Sequence, residues 1–205
     1  NDKAVIIAQQ ETFRLLAEAA DSKRPLPTVT FDEKYTLRVG NQTLELRYPG
    51  PNHDTGNIII YAKKQRILMM VDVVWPGWVP FGYVGLADHV PGIMRSMDVL
   101  LEYDFDTFIG GHANRLGNRA DIETQKEYLF DVQRAAKEAV NEVDFGKYIT
   151  EIGWDRRWEM FDSYYKTLAK VCSKKVVPKW KSRLGGAVHF TPANCTAIAF
   201  SQYVD

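Results

Sequence analysis

An apolar stretch broken by a single charge places the strongest constraint on how this chain can fold. Residues 67–74 read Ile-Leu-Met-Met-Val-Asp-Val-Val, so Asp72 is the only charged side chain in the stretch. A carboxylate is not buried in an internal strand without a partner, because removing an unpaired charge from water is strongly unfavourable. The pattern therefore predicts that Asp72 lies at a strand end, pairs with a cation or binds a metal ion.

The segments around this stretch predict a β-meander that ends at Asp72. Residues 35–39 and 43–48 alternate apolar and polar side chains around Gly40-Asn41, a dipeptide that supplies the positive φ of a tight hairpin turn. Residues 57–61 and 66–71 are the next two predicted strands, joined by a polar turn. Residues 4–21 predict a strand and a helix before the meander, and residues 106–109 predict a short strand after it.

Helical periodicity dominates the second half of the sequence. Residues 87–101 predict one helix, and a long amphipathic helix begins at Ile122 with Asp121 as the candidate N-cap. A second amphipathic helix carries Trp158 to Cys172, and we expect both long helices to cover a sheet. The joint predicted at residues 146–155 divides the chain into a first domain, residues 1–145, and a helical C-terminal extension, residues 146–205.

Composition limits the classes of partner. The chain has 205 residues with 26 basic and 26 acidic side chains, which gives no electrostatic argument for nucleic acid or an anionic membrane. No apolar run reaches the roughly 18 residues needed to cross a bilayer, so we expect a soluble protein. Sequons at Asn41 and Asn194 favour secretion only weakly, so the localisation stays unknown, and the sequence leaves a homo-oligomer open.

The two cysteines have two interpretations that the sequence does not separate. Cys172 and Cys195 can form one disulfide, or both can be buried free thiols. Their separation, and the absence of a Cys-x-x-Cys pair, argue against a structural zinc site.

Two histidines occur in settings similar to that of Asp72. His53 lies in residues 49–56, where prolines and glycines fix the path of a loop between two predicted strands. His112 follows a predicted strand and the chain-breaking pair Gly110-Gly111. Three potential ligands at three strand ends predict one shared metal site, with a solvated histidine and a turn-forming aspartate as the alternatives. Imidazole and carboxylate donors suit zinc, and manganese or iron would also be held.

The same residues resemble the later motifs of the metallo-β-lactamase superfamily. The resemblance rests on residues 44–74, on the loop with His53, on the strand ending in Asp72 and on Phe108-Ile-Gly-Gly-His112, and it covers about residues 4–145. It implies an α/β fold, the αββα sandwich of the family, represented mainly by its second half and a helical C-terminal extension. It also implies that His53 binds a first zinc ion, His112 a second, and Asp72 bridges both, which makes Asp72 the catalytic candidate. The implied reaction is hydrolysis of an ester, lactone, amide or thioester by a metal-bound hydroxide.

The sequence departs from the family in one motif. The His-x-His-x-Asp-His cluster has no counterpart, because only four histidines exist and His89 and His189 stand alone. In the family this cluster precedes a strand and helix like those of residues 4–21, so we expect it to lie before Asn1, in a chain that is processed or only partly represented. The resemblance therefore leaves two hypotheses, a metal-dependent hydrolase in the intact parent and a non-catalytic fragment or binding module of the same fold.

An aromatic loop follows Asp72. Trp75, Trp78, Phe81 and Tyr83 predict either the lining of an apolar substrate pocket or a packed loop without a binding role. We expect the substrate to be a small molecule of apolar character. Asp54 either orients His53 or caps its own loop, and the second role is favoured.

Overall fold

Two β-sheets organise the first half of the chain in the structure, a computed structural model that describes residues 4–112 and 114–204. A parallel pair is formed by β1 (Ile7–Gln9) and β2 (Val29–Phe31). The second sheet has five strands in chain order: β3 (Lys34–Val39), β4 (Gln42–Arg47), β5 (Ile59–Ala62), β6 (Ile67–Met69) and β7 (Thr107–Ile109). The strands from β3 to β6 are antiparallel, which confirms the β-meander, and β7 joins β6 in parallel.

The turns of the meander follow from the sequence, but its last strand is shorter than predicted. Gly40 adopts φ +59° at the β3–β4 turn, the conformation expected of the Gly-Asn dipeptide. Strand β6 ends at Met69 rather than at Val71. Beyond it, the amides of Met70 and Asp72 donate to the carbonyl oxygens of Ile109 and Gly110, so the chain stays attached to the end of β7 while it turns.

Seven helices complete the described fold. They are α1 (Gln10–Ala19), α2 (Gly82–Leu86), α3 (Val90–Leu101), α4 (Arg119–Glu142), α5 (Phe145–Glu151), α6 (Arg157–Trp180) and α7 (Ala187–Val204). The prediction of Asp121 as the N-cap of α4 is wrong, because the helix begins earlier and Asn118 is its cap. Asp121 is instead the third helical residue, and its carboxylate accepts from the Asn118 amide in a capping box.

One continuous apolar core joins the sheet to the helices. Ile59, Leu68 and Phe108 from the sheet are fully buried in the same cluster as residues of α3, α4, α6 and α7. A disulfide between Cys172 and Cys195 ties α6 to α7, which decides between the two interpretations of the cysteines. The α/β class is confirmed, whereas the division of the chain at residues 145 and 146 stays a prediction.

Two further features bear on where the protein resides. Within residues 4–112 and 114–204, no helix has the length and apolar character needed to cross a membrane. Asn194 lies on α7 with no exposed surface, whereas Asn41 is exposed at the β3–β4 turn. A buried amide cannot carry a glycan in the folded protein, so the Asn194 sequon gives no support for secretion.

Candidate metal centre

The strand directions bring the three predicted ligands to one edge of the sheet. Strands β4 and β6 are both antiparallel to β5, and β7 is parallel to β6, so β4, β6 and β7 point the same way. His53 lies in the loop after β4, and Asp72 and His112 follow the ends of β6 and β7. The sheet topology therefore gathers residues that are far apart in sequence.

The carboxylate of Asp72 lies between the two imidazoles. His53 Nε2 is 3.5 Å from Asp72 Oδ2, and His112 Nε2 is 2.8 Å from Asp72 Oδ1. The Asp72 side chain is 20% exposed and that of His53 is 25% exposed, whereas the His112 side chain, at 61%, is open to solvent. Each carboxylate oxygen thus faces a different histidine.

Unsatisfied polar atoms mark this site. In the described ranges, the buried side-chain atoms without a hydrogen-bond partner are Asp72 Oδ1, His53 Nδ1 and Trp75 Nε1. A buried polar atom left without a partner costs about 1–3 kcal/mol, so such atoms indicate a bound ion, a water or a functional role. The 2.8 Å contact between His112 and Asp72 does not have hydrogen-bond geometry. Two tetrahedral ligands of one ion bound at about 2.1 Å lie about 3.4 Å apart, which is close to the 3.5 Å between His53 and Asp72.

The residues fit a metal ion as an incomplete ligand set. Imidazole nitrogen and carboxylate oxygen are donors that zinc accepts. Among residues 4–112 and 114–204, however, no three His, Cys, Asp or Glu side chains surround a common point. Asp72 forms one pair with His53 and another with His112, so its carboxylate would suit a ligand shared by two metal ions. The assignment of His53, Asp72 and His112 as metal ligands stays a prediction.

Asp72 and the glycines before His112 have constrained backbones. Asp72 adopts φ +61°, a left-handed conformation that is uncommon for residues other than glycine and that often marks functional sites. Gly110 lies so close to the preceding loop that a Cβ there would be 2.2 Å from the carbonyl oxygen of Val74, and Gly111 has φ +98°. Only glycine suits both positions, as the chain-breaking interpretation of Gly110-Gly111 predicted.

A buried asparagine that sequence reasoning missed holds the His53 loop. Asn52 is fully buried, and its Oδ1 accepts from the His53 amide at 2.8 Å and from Asn57 Nδ2 at 2.9 Å. Asn57 Nδ2 also donates to the carbonyl oxygen of Val71 at 2.8 Å. The two asparagines therefore link the loop of His53 to the turn of Asp72, and only their place in a Pro- and Gly-rich loop hinted at such a role.

A glutamine from α4 holds the other side of the Asp72 turn. Gln125 is 1% exposed, its Oε1 accepts from the Trp75 amide at 2.9 Å, and its Nε2 donates to the Val73 carbonyl oxygen. Arg115 donates hydrogen bonds to the neighbouring Asp121 carboxylate. Burial raises the pKa of Asp121, but the hydrogen bonds from Arg115 and the Asn118 amide outweigh it, so the pKa is lowered. Both contacts fix loops that carry predicted ligands.

The start of α3 packs closely against the His53 loop. A Cβ at Gly92 would lie 1.8 Å from the carbonyl oxygen of Pro51, so only glycine allows the approach. His89 is the N-cap of α3, where its Nδ1 accepts from the Gly92 amide at 2.9 Å, so the helix begins at Val90 rather than at residue 87 as predicted. Asp54 caps its own loop by accepting from the Gly56 amide at 2.8 Å, and this confirms the favoured of its two roles.

A small cavity opens beside His112. It has a volume of about 170 Å³ and is lined by Trp75, Trp78, Phe81, His112 and Asn114. Three of the four aromatic residues predicted to line a pocket do so. Tyr83 does not line this cavity, because the backbone reverses after Phe81 in a left-handed turn and Tyr83 faces the separate clefts beside α7.

Comparisons with known proteins agree with this fold. The DIM-1 metallo-β-lactamase superimposes with a TM-score of 0.51 at 28% identity over 62% of this chain and 58% of that enzyme. A metallo-β-lactamase from Pontibacter korlensis superimposes with a TM-score of 0.50 at 21% identity over 62% of this chain and 58% of the other. No protein-family model matches the sequence.

The chain is also similar in sequence to a curated protein. The chain is 30% identical over 162 residues to a protein described as 2,4-dinitroanisole O-demethylase subunit alpha from Nocardioides sp. (strain JS1661). The match covers 73% of this chain and 47% of the relative, so the chain spans about half the relative's length.

The fold is that of the metallo-β-lactamases, an α/β architecture with candidate ligands at one edge of a sheet. In fold, the chain is similar to the metallo-β-lactamase superfamily.

Proposed function

We propose that this chain carries the His53, Asp72 and His112 part of a zinc centre in a metal-dependent hydrolase. The observation that supports this most strongly is the Asp72 carboxylate, whose two oxygens contact two different imidazoles while Oδ1 is buried without a hydrogen bond. The bond cleaved is proposed to be an ester, lactone, amide or thioester.

The chemistry follows from the charges and contacts at the site. Zinc supplies a bound water of lowered pKa and a Lewis acid for the scissile group. Asp72 supplies the negative charge that holds the ligand set together, and its backbone contact with Gly110 sets the direction of the carboxylate. His112, as the most exposed of the three, faces the side from which a small molecule would enter.

Zinc binding by the purified chain tests the ligand set. The chain is dialysed against zinc chloride, and bound metal is measured by mass spectrometry beside the variants Asp72→Asn, His112→Ala and His189→Ala. Asp72→Asn should lower the zinc affinity most, by at least about tenfold, because ligand-set changes of this kind typically cost that much or more. His112→Ala should also weaken binding.

His189→Ala is the matched control, because His189 is exposed on α7 and lines a cleft that contains none of the candidate ligands. Zinc affinity that is unchanged in both Asp72→Asn and His112→Ala would overturn the proposed centre.

A second candidate reaction is hydrolytic removal of a methyl group from an aromatic methyl ether. The name of the Nocardioides relative, a dinitroanisole O-demethylase subunit, favours it. Addition of water to such an ether gives a phenol and methanol, so no oxidant is needed. Methanol release from an aryl methyl ether, measured beside ester hydrolysis, separates the two candidates.

A further inference from the structure

The cavity beside His112 is built from ring faces and edges. Trp75, Trp78 and Phe81 form its apolar walls, and Asn114 and His112 supply its polar ones. The Phe81 ring centroid lies 5.9 Å from that of Trp75 and 6.5 Å from that of His112, distances at which aromatic rings interact favourably. No residue lining the cavity has a permanently charged side chain.

The position of the cavity connects it to the candidate metal centre. His112 lines the cavity and also contacts Asp72 Oδ1 at 2.8 Å. A group held in the cavity therefore lies against the imidazole that contacts this carboxylate. By contrast, a cleft of about 300 Å³ on the outer strands β3 and β4 contains none of the three candidate ligands.

The volume limits what the cavity can hold. An enclosed apolar protein cavity of about 150 Å³ accommodates benzene, so about 170 Å³ in this half-open cavity suits one six-membered aromatic ring and leaves a fused second ring partly outside.

The walls are also held in place. The Trp78 amide donates to the Trp75 carbonyl oxygen at 2.9 Å, and a Cβ at Gly185 would lie 2.8 Å from the Trp78 ring, so Trp78 is pressed against the backbone of another loop. Phe81 packs against Phe190 of α7 with 5.5 Å between ring centroids. Widening the cavity would disturb both contacts.

We infer that this cavity binds a single uncharged aromatic ring of the substrate, with the bond to be cleaved on a substituent that lies beside His112. The inference rests on the proposed function only for the cleaved bond, since ring binding follows from the cavity alone. The relative's name is consistent with it, because a dinitroanisole has one benzene ring with a methyl ether substituent.

Three ethers of graded shape test the inference. Anisole, methoxycyclohexane and 2-methoxynaphthalene are titrated into the metal-free chain, and binding is followed through the indole N–H signals in nitrogen-edited NMR spectra, with Trp75→Phe and Trp78→Phe used for assignment. Anisole should shift the Trp75 and Trp78 signals in a saturable way. Methoxycyclohexane should bind at least about threefold more weakly, because it lacks the ring interaction. The naphthalene should bind more weakly than anisole because it exceeds the cavity.

A matched pair of phenylalanine variants identifies the wall. Phe81→Leu should weaken anisole binding at least about threefold, because it keeps apolar volume but removes a ring face. Phe130→Leu is the control, since Phe130 is 46% exposed on α4 and lies outside the cavity lining.

The outcomes separate this inference from the proposed function. Equal binding of all three ethers, or saturable shifts confined to Trp154 and Trp158, would overturn the ring-binding cavity. Anisole binding that persists in Asp72→Asn supports the cavity independently of zinc. If the ligand variants leave zinc affinity unchanged while anisole still binds, the proposed metal centre is refuted and the ring-binding cavity is supported.

Discussion

Replacing Asn194 by alanine tests how the helices support the candidate site. Asn194 is fully buried on α7, where its Oδ1 accepts from the Val84 amide at 2.6 Å and its Nδ2 donates to the Pro80 carbonyl oxygen at 2.9 Å. The turn it holds is strained, because Tyr83, Val84 and Leu86 all have positive φ, between 49° and 63°. Such a conformation costs about 1–2 kcal/mol for each L-residue.

The loss of stability can be worked out from the two backbone groups that would lose their hydrogen-bond partner. Asn194→Ala leaves the Val84 N–H and the Pro80 C=O buried without their side-chain partner, at about 1–3 kcal/mol each. We therefore expect the free energy of unfolding to fall by about 3 kcal/mol, which lowers the Tm of a chain of this size by about 6–12 °C. The turn also carries Gly85, packed against the Trp75 ring, so the aromatic cavity should loosen as well.

Urea and thermal unfolding, followed by circular dichroism, measure this change. Asn194→Asp should destabilise the fold at least as strongly, because its carboxylate accepts from the Val84 amide but is a buried charge that faces the Pro80 carbonyl oxygen. Asn41→Ala is the control at an exposed asparagine and should change stability by less than about 0.5 kcal/mol. An Asn194→Ala protein within about 0.5 kcal/mol of the wild type would refute the reasoning.

Two further predictions concern the packing of α3 and the pH dependence of stability. Gly92→Ala should lower the free energy of unfolding by about 1–3 kcal/mol and weaken zinc binding, because the new Cβ meets the backbone of the His53 loop. The control Gly146→Ala, in α5, should change neither quantity. Zinc affinity that is retained in a folded Gly92→Ala protein would contradict this prediction. Hydrogen bonds from Arg183 and Lys179 lower the pKa of Glu127 from 4.5 to about 2. These hydrogen bonds therefore stabilise the folded protein fully above about pH 4.5, and this stabilisation is lost as the pH falls towards 2. Urea unfolding between pH 2 and 4.5 measures the free energy of unfolding, which should depend less on pH in Glu127→Gln than in the wild type. Substitution of the exposed Glu123 is the control and should keep the wild-type pH dependence. The same pH dependence in Glu127→Gln and the wild type would disprove the pairing.

Much of the sheet could be predicted because its signals are local. The alternation on either side of Gly40, and the apolar run before Asp72, depend on neighbouring residues, and the structure has strands in both places. The prediction of the α4 cap was wrong for an equally local reason. Asn118 and Asp121 are both suitable caps, and the sequence does not show which one accepts the first free amides.

The supports of the site could not be predicted, because they join residues that no local pattern connects. Gln125 reaches Trp75 across 50 positions, and Asn194 reaches Val84 across 110. Each is one of several polar residues on its helix. Before folding, nothing distinguishes such a residue from a solvated one.

The sequence by itself determined which residues could be ligands, since His53, Asp72 and His112 each follow a predicted strand. The tertiary structure decided that the two imidazoles contact opposite oxygens of one carboxylate, and that Trp75, Trp78 and Phe81 line a cavity beside one of them. The physical reason is that strand order and direction place loop ends together in space, whereas sequence patterns report only the face and length of each element.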